Sequence, residues 1–132
     1  MNSYIARLIA LLFITCGSAQ AQFFSSDDTV KDVTTGVTWL RCSVGQVWDP
    51  SVETCTGKIV KLNHEEIAIA LTQAKEQLGG DWRLPSRKEL MSLVCDDCSS
   101  PKINTKYFPN LSSEAYWTGD KNWMNPRTYW TV

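Results

Sequence analysis

At 132 residues, with 13 basic against 14 acidic side chains and a net charge of −1, the chain has the length of one small domain. That charge balance is no footprint for nucleic acid, which normally demands a basic face.

Residues 1–21 read as a signal peptide. Arg7 supplies the positive start, residues 8–14 form an apolar run too short to span a bilayer, and Ala19-Gln20-Ala21 is a small-x-small cleavage pattern. The mature chain is expected to begin near Gln22, in the periplasm, at the cell surface or outside the cell, with no membrane segment. A lipoprotein signal ending at Cys16 is the rival reading, disfavoured by Thr15, where a smaller residue belongs. Cleavage lowers the net charge to about −2. It also removes Cys16 and leaves Cys42, Cys55, Cys95 and Cys98, an even set with three connectivities open.

In chain order, residues 23–28 read as a mobile or docking leader. Residues 29–33 and 37–42 are β-branched and aromatic runs separated by Thr34-Thr35-Gly36, a hairpin pattern whose glycine takes the positive φ. Residues 43–58 carry Gly, Pro, Ser and Thr without a period and are expected to be a loop. A Cys42–Cys55 cross-link would stabilise it by about 3 kcal/mol in the chain-entropy model.

Asn63 and Glu66 form a capping-box pattern, so a helix begins there. Ile67, Ala70, Leu71, Ala74 and Leu78 recur at spacings of three and four, a stripe for the core. Gly79-Gly80 ends that helix, and Trp82, Leu84 and Pro85 make an apolar extended crossing. Ser86 and Glu89 form a second capping box, opening a short helix over residues 87–94 with Leu90, Leu93 and Val94 turned inward. Cys95-Asp96-Asp97-Cys98 and Pro101 halt it. Tyr107-Phe108-Pro109-Asn110 is an aromatic turn, residues 115–118 a strand, and another strand starts at Thr128.

Several constellations are weighed for chemistry. Cys95-x-x-Cys98 follows a helix end beside Asp96 and Asp97, where a thiolate is disfavoured. A local structural disulfide is therefore expected, or else a cysteine pairing beyond this chain. His64 is the one histidine, too little for zinc, and the capping role accounts for Glu66 beside it. Of six tryptophans, Trp39, Trp82 and Trp117 are expected in the core. Trp48, Trp123 and Trp130 stand in loop or edge contexts as candidate platforms for sugar rings. Asp120, Asn122 and Asn125 offer too few oxygens for calcium. Lys58, Lys61, Arg83, Arg87, Lys88, Lys102 and Lys106 would attract a sulphated polysaccharide only if the fold gathered them on one side.

Residues 35–42, Gly45-Gln46 with Trp48, Cys55-Thr56-Gly57, the core Trp82-Arg83-Leu84-Pro85-Ser86 to Glu89-Leu90, Phe108-Pro109-Asn110 and Tyr116-Trp117-Thr118 run in one order. That order resembles the Lcl C-terminal domain family, named for the collagen-like adhesin of Legionella. The resemblance covers residues 22–132. It implies an α+β, C-type-lectin-like fold; with the elements read above, two helices are expected to pack on a small antiparallel sheet, stapled by the disulfides Cys42–Cys55 and Cys95–Cys98. It also implies strands beyond Val132, so the domain is expected to be incomplete at its C-terminal end.

The function expected from this resemblance is non-catalytic: an exported, adhesive module recognising a polysaccharide or a cell-surface protein, with no cofactor or metal and with oligomer formation open. Trp48, Trp123, Asn122 and Asn125 are the candidate contacts, with Arg87 and Lys88 adding charge. The alternatives are a thiol oxidase of the formylglycine-generating type, whose shorter Arg-Leu-Pro motif is similar, and a structural subunit of a surface assembly completed by a donated strand.

Overall fold

A computed structural model describes residues 22–121 and the backbone of 129–131. The expected signal segment with Cys16, the candidate contacts Asn122, Trp123 and Asn125, and the Trp130 side chain lie outside the described residues.

Among the described residues, seven strands and two helices follow in the order β1 (Phe23–Ser26), β2 (Thr29–Asp32), β3 (Thr38–Leu40), β4 (Gln46–Asp49), β5 (Thr54–Gly57), α1 (His64–Leu78), α2 (Arg87–Met91), β6 (Trp117–Lys121) and β7 (Tyr129–Thr131). They form an α+β domain with three separate antiparallel sheets: β1-β2-β3, β4-β5 and β6-β7. The expectation of a single sheet under both helices is corrected here. α2 lies against β6, and the first turn of α1 meets the same strand, the His64 and Trp117 ring centroids standing 6.4 Å apart.

The β2–β3 hairpin follows the sequence pattern, pairing Val30 with Trp39 across a turn in which Gly36 has φ +75°. Asp32 sits fully buried at its base and accepts hydrogen bonds from the backbone N–H groups of Thr34 and Thr35. Burial pushes this carboxyl up, and the Thr34 and Thr35 hydrogen bonds more than offset it, so the pKa lies below the ordinary value.

Two segments read as irregular are strands. Residues 23–26 are β1, paired with β2 from Phe23↔Asp32 to Ser26↔Thr29. The Phe23 ring holds β1 in place, packing 5.1 Å from Tyr107 and edge-on to Phe108 at 5.9 Å. The expected loop 43–58 contains the β4–β5 hairpin, closed at its foot by two glycines. A Cβ on Gly45 would stand 2.3 Å from the Lys58 carbonyl oxygen, and one on Gly57 2.8 Å from that of Gly45. Hydrogen is the side chain that fits at both positions.

Both helix starts form as the sequence implies. The Asn63 side chain accepts from the N–H groups of Glu65 and Glu66, and Glu66 Oε2 accepts the Asn63 N–H at 2.7 Å. Ser86 and Glu89 reciprocate in the same way. Gly79 caps the C-terminus of α1 with φ +69°. The stripe of α1 is less buried than expected: Ile67 is buried, Ala70, Leu71 and Ala74 are half-buried, and Leu78 is exposed. α2 is also shorter than residues 87–94. Leu90 and Leu93 pack inward, whereas Val94 leaves the helix for a bridge to Ile103 and is exposed.

The core is small. Val30, Leu93 and Phe108 are buried together, with Phe23, Trp39, Leu90, Ile103, Tyr107 and Leu111 packed around them. Arg41 reinforces it, buried to 8% exposure. Its guanidinium donates to the carbonyl oxygens of Tyr107, Asp27 and Lys106, tying the β1–β2 turn to the aromatic turn. Asn110, at φ +57°, completes the join by donating to Thr54 Oγ1 and the Cys55 carbonyl.

Candidate functional site

Beside this core lies a cleft of about 1320 Å³. Residues 35–40 border it along β3 and its hairpin turn, and the half-buried stripe of α1 contributes Ile67, Ala70, Leu71 and Ala74. The Trp82-Arg83-Leu84-Pro85 crossing and Trp117 complete an aromatic and aliphatic lining. Close packing in protein interiors leaves voids barely larger than a water. The space is far larger than such voids, and the α1 stripe borders it.

Three polar groups on residues bordering the cleft are buried without a hydrogen-bond partner: Trp39 Nε1, Ser43 Oγ and Trp82 Nε1. Each such group costs about 1–3 kcal/mol relative to a paired one. Trp117 differs, its Nε1 donating to the Leu62 carbonyl at 3.1 Å. Of the three tryptophans expected in the core, Trp39 packs against the buried cluster, and all three are half-buried and border the cleft.

Ionisable groups bordering the cleft are occupied. Arg83 makes two hydrogen bonds to Glu89, at 2.7 and 2.9 Å, and Lys61 pairs with Glu114 at 2.8 Å. Asp81 binds Lys75 at 2.6 Å. The Arg83 hydrogen bonds, then the Ser86 N–H, hold Glu89 far below the usual carboxylate range, at about 2. Hydrogen bonding from Lys75 lowers Asp81, and from Lys61 lowers Glu114. These carboxylates are ionised at neutral pH and unsuited to donate a proton.

The other sequence candidates fall elsewhere. The Arg41 guanidinium covers one face of Trp48 at 3.7 Å from the ring centroid, so that face is closed to a sugar. Arg87 and Lys88 open α2, where Asp120 Oδ2 accepts the Arg87 backbone N–H at 2.7 Å. Trp48, Arg87 and Lys88 do not border the cleft. Asp120, weighed for calcium, lies in β6 and serves as that helix contact. The basic residues do not form an unbroken patch: Lys61 and Arg83 are matched by acids, and Lys102 Nζ donates to the Asp96 carbonyl.

Both expected disulfides are present. Cys42–Cys55 joins the end of β3 to β5 with Cα atoms 5.5 Å apart, and Cys95–Cys98 closes the turn after α2 at 5.3 Å. A family model described as the Lcl C-terminal domain matches residues 28–132. The chain belongs to the Lcl C-terminal domain family. No curated protein and no solved structure matches it. In this Lcl C-terminal domain the Trp82–Leu90 motif supplies the extended crossing beside the cleft, the cap of α2, and the Glu89 carboxylate that fixes Arg83. Sequence reasoning missed Trp39 and Trp82 as site residues because an indole bordering a cleft and one in a closed core carry the same local pattern.

Proposed function

We propose that this Lcl C-terminal domain is an exported, non-catalytic binding module with an adhesive role, recognising a glycan or a cell-surface partner. The cleft carries this reading: it offers indole and aliphatic surface, while its acids and bases are committed to ion pairs and helix caps. Such a lining suits equilibrium recognition. Within the same reading the architecture is C-type-lectin-like, supported by the two helices, the antiparallel sheets and the extended crossing between α1 and α2. Export is supported by the two disulfides, which persist in oxidising compartments.

A thiol oxidase would need reactive cysteines. Cys42, Cys55, Cys95 and Cys98 are all paired, which weighs against that chemistry. Binding of the folded protein to glycan arrays and to whole cells, at low and high salt, tests the proposal. Retention on one of these surfaces is expected, weakened at least tenfold by Trp82→Ala. Folded protein that is retained on none of them, or that converts a bound compound, overturns it.

A further inference from the structure

One border of the cleft is a strand edge. β3 is an edge strand of its sheet, paired with β2 on one side. The Asp32 N–H donates to the Val37 carbonyl and the Arg41 N–H to the Asp28 carbonyl, so residues 37 and 41 turn their backbone groups toward β2. With Val30 opposite Trp39 in the same register, the antiparallel alternation assigns Trp39 to that side as well. The N–H and C=O groups of Thr38 and Leu40 therefore point the other way, and both residues border the cleft. Among the described residues these groups have no hydrogen-bond partner, and donors and acceptors at strand spacing are complementary to one chemistry, an extended polypeptide backbone.

We propose that the cleft is a strand-accepting groove: an extended segment of another protein pairs with Thr38 and Leu40 and places alternate apolar side chains against Ile67, Leu71 and Trp82. This rests on the binding-module reading above and narrows its partner to a peptide. Two observations converge. The free edge supplies backbone pairing, and the α1 stripe supplies apolar surface on the same cleft. The strand's side-chain period of two residues then sets specificity, since every second residue would face the apolar lining.

The probe is a set of synthetic octapeptides alternating valine with threonine or lysine, added to the folded, disulfide-intact protein. Hydrogen exchange is followed at individual amides. Saturating peptide is expected to slow exchange at Thr38 and Leu40 at least tenfold, and N-methylation of the peptide at one parity of amides is expected to abolish binding while the other parity tolerates it. Leu40→Pro removes an edge donor without removing a β2–β3 ladder bond, and is expected to weaken binding about tenfold. Unchanged circular dichroism and intact Trp39 amide protection verify its fold. Should Leu40→Pro unfold the protein, the N-methyl parity test on the wild type decides alone. Failure of every octapeptide to bind overturns the inference, as does binding that leaves Thr38 and Leu40 unprotected or is indifferent to methylation parity. Retention on a glycan array without peptide binding would sink the strand-accepting groove and leave the adhesive reading standing.

Discussion

At the scale of single residues, Arg41 and Glu89 show how this chain spends charge on structure. Arg41 satisfies three carbonyl oxygens from two distant turns and stacks on Trp48, and a neutral side chain of similar length would leave those oxygens unpaired in a buried place. Arg41→Met is expected to lower stability by about 3 kcal/mol, read as a shift of the urea midpoint without a change in slope. Glu89 caps α2 and holds Arg83. Its carboxyl is lowered from 4.5 in the free side chain to about 2. Because the folded pKa is the lower one, its contribution is complete above pH 4.5 and disappears as pH falls through 2. Titrating stability across that window should show wild-type protein losing about 1–2 kcal/mol more than Glu89→Gln, the estimate allowing for solvent screening at the exposed Arg83.

Among the elements, the disulfides are unequal. Cys42–Cys55 spans 13 residues and joins two sheets, whereas Cys95–Cys98 spans 3. Replacing the first pair by serines should cost about 3 kcal/mol and the second about 2 or less, measured by denaturant unfolding. What was legible in the sequence follows from range. Capping boxes at Asn63 and Ser86 and the Gly36 turn depend on neighbours within a few residues, so local pattern reveals them. The β4–β5 hairpin was hidden because Val47 is exposed and Trp48 half-buried, which blurs the alternation that marks a half-buried strand. β1 was hidden because Phe23 is held by Tyr107 and Phe108, residues far along the chain. Val94 misled for a related reason: a tertiary bridge to Ile103 overrode the helical period. Trp39 and Trp82 became visible as site residues only when β3, α1 and the crossing were set side by side.

For the whole molecule, a cleft of about 1320 Å³ beside a core of few buried side chains implies exposed apolar lining in the native state. An apolar dye such as ANS should therefore fluoresce with folded protein whose near-ultraviolet circular dichroism is intact, which separates the cleft from a molten globule. Ala74→Phe, on the α1 stripe, should diminish that signal at least twofold by taking up space in the cleft. A last consequence comes from the division of the described strands into three sheets with no ladder shared among them. Cooperativity between the first sheet and the β4–β5 hairpin is then carried by side chains and by the single sulphur link from Cys42 to Cys55. Reduction should uncouple them, so that one calorimetric transition splits into two and the hairpin melts at the lower temperature.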